Sequence, residues 1–425
     1  MKIILNPQLL WLLMKLDNHC RFCSAPLQHT FCDLGHTPLA NAYVKKEHLN
    51  RKEPSFPLHV YVCDQCLLVQ LKEAQTTPEG MFSDYSYFSS YSASWLQHAK
   101  NYTDKMTQRF AFSSQHQVVE IASNDGYLLQ YFKEKNIPIL GIEPARNIAK
   151  VAMDKGIPTH VAFFGEETAR QLVQEGIRAD LLIGNNVFAH VPHLNDFVKG
   201  MKIILAPEGV ITLEFPHLLQ LMKQNQFDTI YHEHFSYFSL LVLEKVFKAH
   251  GLALFDVEEI PTHGGSLRIY VKHQESPRKI EQHHLNTVLD KEKQAGLDKL
   301  ETYLSYAERV EKVKTSLLKF LLEAQKAGKT VAAYGAPAKG NTLLNYCKVT
   351  SELLPFTVDL SPHKQGHFLP GSHVPIYSPE KIKEVRPDYL LILPWNLKSE
   401  IMEQMETIRS WGGQFVVPIP ELEIL

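Results

Sequence analysis

The chain has no surplus of charge of either sign, with 44 Lys and Arg against 46 Asp and Glu in 425 residues. Without a net field, nothing draws nucleic acid or an anionic membrane to the molecule as a whole, although local basic pockets stay open. Long apolar runs are also scarce. Leu9–Met14 is too short to span a bilayer, lacks a small-residue cleavage site and is followed at once by a cysteine motif. Residues 1–17 therefore read as an N-terminal extension, with Met1 and Met14 both open as starts, and a cytoplasmic location is expected. Cysteine is sparse, and four of the six fall in two Cys-x-x-Cys pairs, which argues against a disulfide framework and for a reducing compartment. Cys32 and Cys347 stand alone and read as buried apolar thiols. Three signatures are missing too. There is no G-x-G-x-x-G dinucleotide loop, no Walker loop and no His-Glu-x-x-His helix, which disfavours nicotinamide redox chemistry, ATP hydrolysis and a catalytic zinc.

What is present suits a globular protein with a full core, 44% apolar and 21% charged. At roughly 150 residues per domain, the length calls for two or three domains. Cys20, Cys23, Cys63 and Cys66 place two pairs of thiolates on tight turns, the tetrahedral sulfur cage that zinc favours. Four thiolates leave no position for water or substrate, so the site is expected to be structural, with His19, His36 and Cys32 as weaker substitutes for a ligand. The 39 intervening residues must form structure of their own. No basic cluster with interleaved aromatics lies between Cys20 and Leu71, against a nucleic-acid module.

Val118–Ile121 reads as a strand, Asn124-Asp125-Gly126 as a turn and Tyr127–Phe132 as the start of a helix. A second strand, Ile139–Ile142, ends in Glu143, 23 residues after Glu120. That is the interval at which a Rossmann-like sheet sets its second acidic strand end against ribose hydroxyls. Gly126 is the loop's one glycine, so a diphosphate has no close approach, and a cofactor with a ribose and an amino-acid tail fits better. S-adenosylmethionine is that molecule. Glu120 and the backbone of Ala122, Ser123, Asn124 and Gly126 would meet its amino-acid end and Glu143 its ribose. Asn185 and Asn186, closing the strand of Asp180–Gly184, would lie beneath the sulfonium. A doubly wound sheet with unused strand ends is the alternative.

Glu120–Gly126, Gly141-Ile-Glu-Pro-Ala145, Ala189-His190-Val191-Pro192, Tyr231-His232-Glu233-His234 and Gly335-Ala-Pro-Ala-Lys-Gly-Asn341 follow one another behind the four cysteines. In that order they resemble the nucleotide-deoxysugar C-methyltransferase family, across nearly the whole chain from Cys20 onward. The resemblance implies an α/β protein. A small zinc-binding module (18–75) would precede a class I methyltransferase, Rossmann-like central domain (76–275), a helical linker (276–328) and a second Rossmann-like domain (329–425). One departure is Ala122, where the family's loop usually has glycine; a methyl group is tolerable there if φ is negative.

Methyl transfer to carbon needs a carbanion equivalent, which a sugar supplies next to a ketone, so a base must take the α-proton while donors hold the enolate oxygen. His234 is the expected base, with Glu233 orienting or charging the cluster, Tyr231 as hydroxyl donor and His190 holding the ketone or enolate. The resemblance supports these four and adds Tyr85, from Asp84-Tyr85-Ser86-Tyr87. His232 is expected to point away, packed or exposed. His190 and His193 have no evident third partner for a metal. His263–Val271 reads as a hairpin at the edge of the central sheet, and Glu301–Leu322 as an amphipathic packing helix. In the last domain, a helix is expected near Thr342. Free amides of the turn before it, with Gly335, Lys339 and Asn341, would take a sugar-nucleotide diphosphate; a turn that serves folding alone is the alternative.

The expectation is thus an S-adenosylmethionine-dependent C-methyltransferase with structural zinc. Its substrate would be a nucleotide-linked 4-keto-6-deoxysugar, methylated beside the ketone, at C3 before C5. An O-methyltransferase and a zinc-containing binding protein are the alternatives. No nucleic acid or membrane partner is expected, and no heptad or apolar stripe demands a second subunit, so a monomer is. The nucleotide base and any amino substituent are left open.

Overall fold

The computed structural model describes residues 18–72 and 88–425. Residues 1–17 and Tyr85 lie outside the described residues.

The central sheet has seven strands, in the order Leu252–Ile260, Ser266–His273, Leu205–Pro216, Ala179–Asn185, Val118–Ile121, Ile139–Ile142 and Thr159–His160. The last five run parallel, while Ser266–His273 is antiparallel to both of its neighbours. The hairpin is terminal as expected, but its second strand is internal and Leu252–Ile260 forms the edge. All four residues of Val118–Ile121 are buried, as a parallel strand covered on both faces requires. From it the chain order runs one way to Ile139–Ile142 and the other way to Ala179–Asn185. At such a reversal the strands' carboxyl ends open a crevice for ligand.

A smaller antiparallel sheet is built from His29–Thr37, Phe56–Val62, Val69–Leu71 and, from far along the chain, Ser236–Tyr237. The last strand follows directly on the Tyr231–His234 run. Gln70 pairs with Ser236 and Val69 with Tyr237, which brings the cysteine module against the histidine cluster. The helix Tyr306–Lys326 does more than connect. Its buried stripe includes Val310, Val313, Leu317 and Leu321, Tyr306 stacks on Phe31 of the small sheet (ring centres 4.7 Å apart), and Phe320 meets Tyr389 of the last sheet edge-on at 5.1 Å.

The C-terminal sheet orders six strands as Ile376–Tyr377, Thr357–Val358, Val331–Tyr334, Tyr389–Ile392, Gln414–Val417 and Glu423–Ile424, parallel but for the last. Its reversal falls beside Gly335. The helix there starts at Ala338 rather than near Thr342. Pro337 has no N–H to offer and its φ of −81° suits the entry to a helix, so the turn is shorter than the sequence pattern implied. Among the described residues, no helix is long and apolar enough to cross a membrane.

Candidate active site

The Sγ atoms of Cys20, Cys23, Cys63 and Cys66 all lie within 4.8 Å of one another. Such a donor set fits a tetrahedral zinc closed to other ligands. Gln70 donates its side-chain amide to Cys20 Sγ at 3.2 Å and accepts the Arg21 N–H at 2.9 Å, so the first knuckle is held by the strand that pairs with Ser236–Tyr237. Asn195, at the start of the helix Leu194–Ile204, donates to the Arg21 and Phe22 carbonyls and binds the knuckle to the central sheet.

At the central crevice, Glu120 is buried beside Glu143, and burial first, with the neighbouring carboxylate second, raises its pKa well above the carboxylate range. Glu120 Oε2, Asp125 Oδ1 and both polar atoms of the Asn185 amide are buried without a hydrogen-bond partner. Each such atom costs about 1–3 kcal/mol in an empty protein, and their concentration at one strand reversal fits a polar ligand. The two oxygens of Glu143 accept the Asn124 and Ala145 N–H groups at 3.0 and 2.8 Å, which leaves further lone pairs open.

Two expectations for this loop need correction. Ala122 has φ of +53°, not a negative value, so its methyl is held in the left-handed region where the family's glycine would be unstrained. The N–H groups of Ser123, Asn124 and Gly126 are already given to Ile142, Glu143 and Ser123, so the loop offers few free amides. The Ser123 hydroxyl lies under the sheet, where a Cβ on Gly141 would come within 2.3 Å of it. Asn186, also at positive φ, gives its N–H to the Glu214 carbonyl.

The histidine cluster stands at the same end of the sheet. Phe235 N–H donates to the Ala189 carbonyl at 2.7 Å and draws the two loops together. The His190 and His234 rings come to lie 4.7 Å apart, centre to centre, and Tyr231 lies 4.0 Å from His234. His234 Nδ1 is 2.7 Å from the Thr229 carbonyl oxygen. A carbonyl only accepts, so Nδ1 carries the proton and Nε2 is left with its lone pair. Burial, then His190, hold His234 well below the ordinary histidine range, and burial lowers His190 to about 4. Both rings are neutral near pH 7, and the one N–H of neutral His190 goes to the Glu233 backbone carbonyl, so its other nitrogen is an acceptor, against the expectation that His190 holds an enolate oxygen.

Of the two roles expected for Glu233, orienting or charging the cluster, the first falls to another group. The Glu233 carboxylate accepts the Asn41 amide of the cysteine module at 2.7 Å, and Thr229 takes the orienting position. His232 turns away and is buried edge-on to Phe56, as a packed histidine.

The helix Ala338–Tyr346 of the C-terminal domain contributes Lys339 to this cleft. Its Nζ donates to Asn396 Oδ1 at 2.7 Å and lies 4.5 Å from the Trp395 ring centre. Trp395 Nε1 donates to Asp228 at 2.7 Å, and burial lifts that carboxyl to about 6 against the pull of Lys339. The Lys339 charge in turn depresses His234 and His263. The other two residues expected beside it serve the backbone. Gly335, at φ of +93°, lets the chain pass Pro394, and the buried Asn341 amide donates to the Ala40 carbonyl at 2.6 Å. The Ala336 N–H is taken by Asp359 at 2.7 Å.

Sequence reasoning missed the floor and wall of the cleft. Glu214 Oε2 is 2.8 Å from His98 Nε2, and Arg268 Nε donates to Glu214 Oε1 at 2.7 Å. Burial alone would raise the Glu214 carboxyl, but His98 and Arg268 hold it below the usual range. Trp95 stacks on His98 at 4.8 Å, with Tyr127 and His263 at 6.1 and 5.6 Å. The available signal was a carboxylate inside the apolar run Val210–Phe215.

Three family models match in sequence: a zinc binding domain over residues 20–82, a methyltransferase domain over 95–257 and a C-methyltransferase C-terminal domain over 261–420. The C-methyltransferase NovU of Streptomyces niveus is 36% identical over 413 residues, 96% of this chain and 97% of its own length. A SAM-dependent methyltransferase from Anabaena variabilis matches at 15% identity over 40% of this chain and 83% of its own, with a TM-score of 0.32. An S-adenosylmethionine-dependent methyltransferase from Clostridium acetobutylicum matches at 12% over 42% and 92%, with a TM-score of 0.35.

Proposed function

Because the chain belongs to the C-methyltransferase family and is an S-adenosylmethionine-dependent enzyme with a zinc-binding module, we propose that its acceptor is a nucleotide-linked 4-keto-6-deoxysugar, methylated at C3 beside the ketone. The observation that carries this reading is the fixed tautomer of His234, a neutral base with its lone pair on Nε2 between His190 and Tyr231.

Glu120, Glu143 and Asn185 hold the cofactor, which when bound supplies an electrophilic methyl group. His234 Nε2 takes the proton from C3, and the electron pair moves onto the ketone oxygen. The Tyr231 hydroxyl donates to that oxygen as its charge develops, beside the neutral His190 ring. With the cofactor bound, C3 would take the methyl group it supplies, and the proton stays on His234 until solvent removes it. Glu233, tied to Asn41, closes the cleft from the cysteine module. Lys339, from the opposite side, sets a positive charge where the diphosphate of such a substrate would lie, and Tyr85 is assigned to the acceptor pocket on resemblance. An O-methyltransferase needs one base and a hydroxyl, and the family argues against it.

The test is mass spectrometry of the protein with S-adenosylmethionine and a panel of dTDP-, GDP- and CDP-linked 4-keto-6-deoxysugars in deuterated water. A product heavier by one methylene, lost with His234→Ala, and a new methyl located at C3 by NMR are expected. The absence of both methylation and α-deuteration with every sugar in the panel would sink the proposal.

A further inference from the structure

We infer that His263 is a substrate-contacting residue, whose imidazole hydrogen-bonds an oxygen of the acceptor between the reacting carbon at His234 and the anionic group at Lys339. The inference rests on the reading above, in which these two residues flank one acceptor.

The backbone gives the first reason. His263 has φ of +55°, followed by Gly264 at +88° and Gly265 at +113°. A side chain in the left-handed region costs about 1 kcal/mol relative to glycine. The turn itself is locked from several directions. Gln226 donates to the Gly264 carbonyl at 2.8 Å, Ser266 Oγ donates to the Thr262 carbonyl at 2.9 Å, and a Cβ on Gly264 would approach Trp395 to 2.6 Å. Glycine would fill position 263 with less strain, so the histidine needs a reason in its ring.

That ring stands edge-on to Trp95 and has no hydrogen-bond partner among the described residues. It is exposed, yet it is enclosed by the elements that carry Trp95, His98, Glu214 and Lys339, and so it faces into the cleft. The crowded surroundings, then the Lys339 charge, hold it below the ordinary histidine value, and it depresses His234 in turn. A neutral imidazole offers one donor and one acceptor, which suits a sugar oxygen and not a phosphate. The mechanism assigns the cluster at His234 to the reacting carbon and Lys339 to the anion. The His263 turn packs on Trp395, the ring that Lys339 overlies, and the imidazole is near enough to His234 to influence it, so it neighbours both.

His263→Gly and His263→Asn test this, because both residues accept positive φ and keep the turn. With an acceptor that the wild type methylates, each is expected to lower kcat/KM by about tenfold, the worth of one hydrogen bond to bound substrate. The S-adenosylmethionine dissociation constant should stay unchanged, and the melting temperature of the glycine variant unchanged or higher. Wild-type kcat/KM in either variant would overturn the inference alone. A wild type that methylates nothing in the panel would overturn the functional reading and the inference with it.

Discussion

The guanidinium of Arg21, next in sequence to the zinc ligand Cys20, donates at 3.2 Å to the carbonyl of Phe235, next in sequence to His234. It also donates to the Leu71 carbonyl, whose own N–H bonds the same Phe235 oxygen at 3.0 Å. The metal knuckle and the proposed base are therefore two residues apart through one half-buried side chain. Removing zinc with a chelator should lower turnover while the central sheet keeps its cofactor affinity. Gln70→Ala, which deletes the donor to Cys20 Sγ, should weaken zinc retention by about 10–100-fold. Zinc content after competition with a chromogenic chelator, measured beside S-adenosylmethionine binding, checks both; equal loss of the two would mean general unfolding.

The acid limb of activity should lie below the ordinary histidine value of 6.5. His234 is depressed by burial and by His190, so the base keeps its lone pair down to a more acid pH and loses it as pH falls through the lowered value. A profile of kcat/KM between pH 5 and 8 that halves at 6.5 or above would contradict this environment for His234.

Glu214→Gln should be severe. The carboxylate is buried and paired with both His98 and Arg268, and its removal leaves the buried guanidinium with Glu258 alone, at 3.1 Å. A loss of about 3–5 kcal/mol is expected in urea denaturation. In the wild type, the folded pKa of Glu214 lies below its ordinary 4.5. Its contribution is therefore complete above pH 4.5 and disappears as pH falls through the lowered value.

Ala122→Gly should be benign. Relief of a methyl group at φ of +53° gains about 1 kcal/mol, and the freer unfolded chain costs about 0.4–1 kcal/mol, so stability should hold within about 0.5 kcal/mol. Differential scanning calorimetry reads this directly, and a fall of several degrees in melting temperature would show that the methyl makes a contact that outweighs its strain.

Side-chain identity carried most of what the sequence disclosed. Four sulfurs must converge for zinc, the acidic strand ends Glu120 and Glu143 meet at one strand reversal, and Tyr231 lies against His234 as the pattern led one to expect. The backbone supplied what was hidden. Nothing in the identity of Thr229 marks its carbonyl as the partner of His234, and nothing local marks Ala122 for positive φ. The pairing of Gln70 with Ser236 was also invisible, since a two-residue strand has no periodicity to read and its partner is remote in sequence. Helix onset at Ala338 was available from Pro337, but the glycines on either side drew attention to the turn instead.

The small sheet cannot be completed in the order in which the chain is made. Its first three strands leave the ribosome early, whereas Ser236–Tyr237 follows only after most of the strands of the central sheet. Until then, Val69–Leu71 presents an uncovered edge, able to pair with another nascent chain. An isolated cysteine module would keep that edge permanently, so the segment that follows the proposed base is also the strand that covers it.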